Sequence, residues 1–227
     1  MDISGGFSMK KSTNEIQNDF YLALLEPSLN KALEIANEFV FSSEDIKIFL
    51  EDVITPSLYI LGKEWAIGKI SVGQEHAATS ICQLVISKLY YKIAEETPSK
   101  RKLLVTTAPK ELHQIGSRMI ADILEINSYD IYYVGDGDIE KILAIMKEES
   151  IFEVVISSTI KESIVTTKNI IHQIRDFFKN QKIYIYVGGQ AYEQNNSDCD
   201  VGADYCIFSI DSLLEILKRN GTNVRLQ

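Results

Sequence analysis

Residues 111–116 read Glu111-Leu112-His113-Gln114-Ile115-Gly116, and the fold turns on what flanks them. An apolar run, Leu103-Leu104-Val105, leads in, and Met119-Ile120 with Ile123-Leu124, at helical spacing, leads out. His113 is therefore expected on a strand-to-helix loop at the carboxyl edge of a sheet, where open α/β sheets bind ligands. An imidazole there can offer one ring nitrogen to a metal. The nearby carboxylate of Glu111 can hold the other nitrogen and fix the tautomer. Gly116 lets the backbone approach something large. The same string also suits an ordinary loop histidine, so its meaning depends on the company it keeps.

Downstream, strand and helix patterns alternate. Strands are expected at Leu103–Thr107, Ile131–Val134, Val154–Ser158, Ile183–Val187 and Tyr205–Phe208. Helices are expected at Ile115–Ile126, Ile139–Lys147, Ile164–Phe178 and Leu213–Lys218, with a polar stretch holding a short helical turn from Tyr192 to Ala203. This alternation predicts an α/β domain over residues 103–220: a five-stranded parallel sheet in flavodoxin-like, Rossmann-like order with helices on both faces. Residues from Asn220 onward read as a frayed tail.

Upstream, apolar residues recur at helical spacing. Ile16, Phe20 and Leu24 form one stripe. Leu29, Leu33 and Ala36 form a second, opened by Pro27. Ser42-Ser43-Glu44-Asp45 signals the start of a third helix, bent at Pro56 and running to Trp65, with Gly68 closing it. A fourth opens at Val72-Gly73-Gln74-Glu75 and continues through Leu84 and Leu89 to Ala94. A four-helix bundle is expected over residues 14–95, after a flexible lead of residues 1–13 and before a linker at residues 96–102.

Composition narrows the function. The chain has 227 residues, 45% of them hydrophobic, enough for a sizeable core. The formal net charge of −9 argues against a phosphate-binding face. Lys100-Arg101-Lys102 reads as a solvated boundary. Neither a signal peptide nor a membrane span is visible, so a cytoplasmic location is expected. The three cysteines, Cys82, Cys199 and Cys206, lack a CxxC spacing and are expected as reduced thiols. A dinucleotide fold would want a Gly-rich turn after the first strand, where Ala108-Pro109-Lys110-Glu111 stands. A phospho-receiver would want an Asp where Ser157-Ser158-Thr159-Ile160 stands.

Spacing supplies a third reading. Forty-one residues separate Gly116 from Ser158-Thr159-Ile160, and twenty-seven more lead to Gly188-Gly189. This resembles the cobalamin-binding module of methionine synthase and its relatives, whose pattern is Asp-x-His-x-x-Gly, then Ser-x-Leu, then Gly-Gly at such separations. Glu111 replaces the Asp and Ile160 the Leu. Val134-Gly135 after the second strand also fits. The resemblance implies that His113 is the lower axial ligand of cobalt, in place of the cofactor's own benzimidazole. It implies that Gly188 and Gly189 line a slot for the nucleotide tail, and that Ser158 bonds the Glu111–His113 relay or the tail.

In the helical half, nine residues separate Trp65 from Glu75-His76, with Val72 among them. This resembles adenosylcobalamin-dependent light-sensing transcriptional regulators, in which the Trp packs over the adenosyl group and the Glu and His share its pocket. Two departures stand out. Ala66 occupies the place of a histidine that ligates cobalt after illumination. The stretch ahead of the first helix is also too short for a winged-helix domain, so no direct contact with nucleic acid is expected. The resemblance implies a non-enzymatic cobalamin sensor that binds adenosylcobalamin and signals through a protein partner or self-association, with no membrane role. The alternative is a corrinoid carrier holding methylcobalamin for a methyltransferase. A mutase subunit is a third reading, disfavoured by the helical cap.

Overall fold

The computed structural model describes residues 11–93, 101–192 and 199–224, without the side chains of 91–93 and 221–224. The chain forms two compact units, Met1–Ala94 and Glu95–Gln227.

The first unit is helical. Helix α1 spans Thr13–Leu25 and α2 Leu29–Phe39. A long rod is built from α3 (Ser43–Ile48), a π-helical stretch (Phe49–Ile54) and α4 (Thr55–Ala66); α5 spans Val72–Ile93. Ser12 and Ser42 each close a reciprocal capping box, with Glu15 and Asp45. The second helix begins two residues after Pro27, because Ser28 caps it and Pro27 stays outside. Pro56 does not simply bend the third rod. Proline lacks an N–H, so the wall of the helix must change register ahead of it. The Thr55 N–H reaches back to the Leu50 carbonyl, and the Thr55 hydroxyl donates to the same oxygen at 2.8 Å. That widened turn lets the rod continue.

The core of this unit is Phe20, Leu24, Phe49, Leu50, Leu61 and Leu89, with Phe20 and Phe49 packed edge to face at 5.3 Å. On α2 the fully buried residues are Ala32 and Ala36, while Leu29 and Leu33 are only half-buried. Leu84, part of the expected apolar pattern of α5, is exposed.

The second unit is the doubly wound sheet. Its strands are β1 (Lys102–Thr107), β2 (Asp130–Val134), β3 (Glu153–Ser157), β4 (Tyr184–Gly188) and β5 (Tyr205–Ile207). Its helices are α6 (Ile115–Ile126), α7 (Ile139–Glu148), α8 (Ser163–Phe177) and α9 (Ile210–Val224), with a 3-10 turn at Gln190–Tyr192. The strand order is β2-β1-β3-β4-β5, all parallel. The order reverses between β1 and β3, so the crevice for a ligand lies beyond their carboxyl ends.

Three expectations change here. Helix α9 is longer than its apolar stripe suggested, and Asn220 is buried rather than frayed: its side-chain amide donates to the Tyr186 hydroxyl at 3.0 Å and its carbonyl accepts from Tyr205. Arg101 is not a solvated boundary residue; its guanidinium grips the buried Glu153 carboxylate with two hydrogen bonds, of 2.7 and 2.8 Å. Cys199 and Cys206 form a disulfide rather than reduced thiols, because the chain returning to β5 brings their Cα atoms to 5.8 Å; Cys82 is free and buried. Residues 94–100, most of the expected linker, and 193–198, part of the expected polar turn, lie outside the described residues.

Candidate functional site

His113 stands where the sequence puts it, between β1 and α6 at the carboxyl edge. Its Nδ1 lies 2.8 Å from Glu111 Oε1, and its backbone N–H donates to the same oxygen at 3.1 Å. The second oxygen, Oε2, accepts from the Thr159 N–H at 3.2 Å and from the Ser163 hydroxyl at 3.0 Å. The Glu111 side chain is 1% exposed, yet that of His113 is 63% exposed. The carboxylate is thus a buried anchor, and the imidazole a projecting head. With Nδ1–H donating to Glu111, Nε2 keeps its lone pair for a metal.

Burial alone would raise the Glu111 pKa. The hydrogen bonds from His113, Thr159 and Ser163 outweigh it and hold the carboxyl below its ordinary value. The anchor is therefore a charged acceptor, with each donor favouring the ionised form.

Of the two roles expected for Ser158, the bond to the relay is corrected. Ser158 is fully buried, and its hydroxyl pairs with Thr167 at 2.9 Å, not with the relay. Ser163, the first residue of α8, takes that place; sequence reading missed it, although a hydroxyl residue opening a helix after β3 was a visible signal. Ile160 is 43% exposed on the same β3–α8 connection.

The glycines divide by cause. A Cβ on Gly116 would meet nothing of this chain within 4 Å, so the chain's own packing leaves that side open. A Cβ on Gly188 would lie 2.7 Å from the Ile207 carbonyl, and one on Gly189 2.5 Å from the Ser158 carbonyl, at a φ of +102°. Gly188 and Gly189 are therefore demanded first by the close approach of β3, β4 and β5. The resemblance had implied a slot as their reason.

In the helical unit, Trp65 (48% exposed) lies in the last turn of α4 and Val72 (53% exposed) opens α5. Glu75 Oε2 lies 2.6 Å from His76 Nδ1, and the Thr79 hydroxyl donates to Glu75 Oε1 at 2.8 Å. This is a second acid–imidazole pair, fixed within one helix. Among the described residues no group of three His, Cys, Asp or Glu side chains converges to hold a bare metal ion. A metal that arrives already held by an organic cofactor would ask the protein for fewer donors, and the single projecting His113 imidazole would fit that demand. No helix among the described residues is long and apolar enough to cross a membrane.

Comparison with known proteins bears on the family and the fold. Two family models, each described as a B12 binding domain, match residues 16–90 and 101–217. The structure of the monomethylamine corrinoid protein of Methanosarcina barkeri overlays with a TM-score of 0.75 at 14% identity, covering 91% of this chain and 98% of that one. That overlay shows a shared fold. A cobalamin-binding protein from Desulfitobacterium hafniense DCB-2 (16% identity, 89% and 97% coverage) and the methanol:cobalamin methyltransferase complex of Methanosarcina barkeri (16%, 92% and 80%) overlay at TM-scores of only 0.48 and 0.47. No curated protein matches the chain. Neither family model and none of these three structures carries the light-sensing description that Trp65, Glu75 and His76 had suggested. With residues 101–217 alone making up more than half of the chain, it belongs to the B12-binding domain family.

Proposed function

We propose that this protein is a corrinoid carrier for a methyltransferase system, the alternative rather than the first reading of the sequence. The observation that carries the proposal is the projecting His113 imidazole on its buried Glu111 anchor, in a chain matched in both units by B12-binding models. The monomethylamine corrinoid protein, whose fold it shares, supports the carrier over the sensor.

When bound, the corrinoid supplies a cobalt centre that can accept and release a methyl group. His113 would offer Nε2 to that cobalt as a nitrogen ligand. Glu111 would hold the Nδ1 proton and so keep the donor nitrogen neutral and electron-rich. Thr159 and Ser163 would keep Glu111 ionised, so the relay is set before the cofactor arrives. Gly116 would leave room for the ring, and Ile160 would offer it an apolar contact. Ser158, Gly188 and Gly189 remain our assignment for the nucleotide tail. Trp65, Val72, Glu75 and His76 remain proposed cofactor-binding residues of the helical unit, their exposure supporting this role. Methylcobalamin is the proposed working form and a methyltransferase the proposed partner; adenosylcobalamin is the rival.

The test is to load the full chain with hydroxocobalamin, reduce it, and offer a methyl donor with candidate methyltransferases of single-carbon metabolism. The carrier reading expects stoichiometric methylation of the bound corrinoid, followed by its demethylation in the presence of an acceptor enzyme. An inert corrinoid, together with a change of solution mass on illuminating the adenosylcobalamin-loaded protein, would return the assignment to the light sensor.

A further inference from the structure

Glu111 explains how the imidazole is held from the residue two before it. The residue after it, Gln114, is held as well, from the opposite side. Its backbone carbonyl accepts a hydrogen bond from the Ser117 hydroxyl at 2.8 Å. Ser117 is fully buried, and its Oγ lies 2.9 Å from the Tyr133 hydroxyl, which is also 3.4 Å from the Gln114 carbonyl. A serine hydroxyl has one proton. If that proton goes to Gln114, the Tyr133 hydroxyl donates to Ser117, giving a directed chain from Tyr133 through Ser117 to the Gln114 carbonyl.

Tyr133 is itself fixed. It lies on β2, in register with Val105 of β1, and the Arg118 guanidinium sits 5.4 Å from its ring centroid. The turn that follows it packs at three more points, one at the end of β1 and two on the ligand loop. The Thr107 hydroxyl donates to the Gly135 carbonyl at 2.8 Å. A Cβ on Gly135 would lie 2.9 Å from Gln114 Oε1, and one on Gly137 2.6 Å from the Pro109 nitrogen. The β1–α6 loop therefore has two supports: β3 and α8 hold it through Glu111, and β2 holds it through Gln114.

Building on the assignment of His113 as cobalt ligand, we propose that Tyr133, through Ser117 and the Gln114 carbonyl, is a positioning residue for that ligand. Glu111 sets the tautomer and tilt of the ring. Tyr133 and Ser117 set where its backbone stands, and so how far Nε2 reaches. The two supports act on different degrees of freedom, and the loss of either loosens the cobalt–imidazole bond.

The test uses the full chain loaded with cobalamin and reduced to the cobalt(II) state, in which electron paramagnetic resonance reports an axial nitrogen. Tyr133→Phe and Ser117→Ala each remove one hydroxyl. Each is expected to lower the ratio of imidazole-bound to imidazole-free cobalt about three- to tenfold, below the loss typical for a group bonded directly to a ligand. The double variant is expected to match the worse single one, because the groups act in series. Tyr132→Phe is the control: it removes a hydroxyl from the opposite face of β2, where it donates to Glu149 at 2.8 Å, and should leave the ratio unchanged at a similar cost in thermal stability. A wild-type ratio in both Tyr133→Phe and Ser117→Ala would overturn the proposal. So would an equal loss in Tyr132→Phe, which would mark a general loosening of the sheet. A wild-type protein with no axial nitrogen from a histidine would instead remove the ligand assignment, and this inference with it.

Discussion

Among the described residues stand two acid–imidazole pairs of similar geometry and different support. Glu111 and His113 meet at 2.8 Å, Glu75 and His76 at 2.6 Å, and both imidazoles project, 63% and 74% exposed. The carboxylates differ. Glu111 is 1% exposed and bonded to Thr159 and Ser163, 48 and 52 residues away. Glu75 is 27% exposed and bonded to Thr79, one turn along its own helix. The first pair is locked to the tertiary structure, and the second only to a helix surface. A metal ligand needs its donor set in place before the metal arrives, and only the first pair provides that.

The largest effect that could break this contrast comes from the ligand itself. His113→Ala should abolish the histidine nitrogen signal of the cobalt(II) protein, and Glu111→Ala should weaken the His113–cobalt bond about 10- to 100-fold. His76→Ala should leave the same signal intact, and a loss there would invert the two pairs. Next in size is Gly189→Ala. Its Cβ would meet the Ser158 carbonyl at 2.5 Å at a φ of +102°, so thermal or denaturant unfolding should show a loss of about 1–3 kcal/mol with or without cofactor.

Ser163→Ala sharpens the comparison from the anchor's side. It leaves Glu111 buried with one donor fewer, and should destabilise the cofactor-free protein by about 1–3 kcal/mol, measured by urea unfolding. Because the folded Glu111 pKa is lowered, its contribution to stability is present above the ordinary carboxyl value and fades as pH falls through the folded one. Between about pH 5 and pH 3 the wild type should therefore lose more stability than Glu111→Gln. The smallest effect belongs to the exposed pair: Glu75→Gln should change stability by less than about 0.5 kcal/mol in the same assay.

How much of this the sequence made legible follows from the range of the forces involved. Strand β1 carries the apolar run Leu103-Leu104-Val105 because parallel strands are buried on both faces, so it can be read locally. The His113 loop was legible for the same reason: strand, loop and helix are consecutive. Interactions across the sheet were not. Ser163 looks like any helix-opening serine until the fold sets it against Glu111, and Asn220 reads as a polar tail until two tyrosines of β4 and β5 hold it. The π turn before Pro56 needs a backbone register that no residue pattern announces. Cys199 and Cys206, seven apart, pair only because the chain turns back into β5. Gly188-Gly189 was visible as a pair, but its cause, contact with Ile207 and Ser158, required the strand order.

The central claim, that an imidazole of this chain replaces the cofactor's own base on cobalt, has one direct measurement. The protein is grown with nitrogen-15 histidine, loaded with unlabelled cobalamin, reduced to cobalt(II) and examined by electron paramagnetic resonance, alongside His113→Ala. The account predicts that the axial nitrogen splitting takes the nitrogen-15 pattern in the wild type and vanishes in His113→Ala. A splitting that keeps the nitrogen-14 pattern of the cofactor's base, unchanged by the substitution, would contradict it.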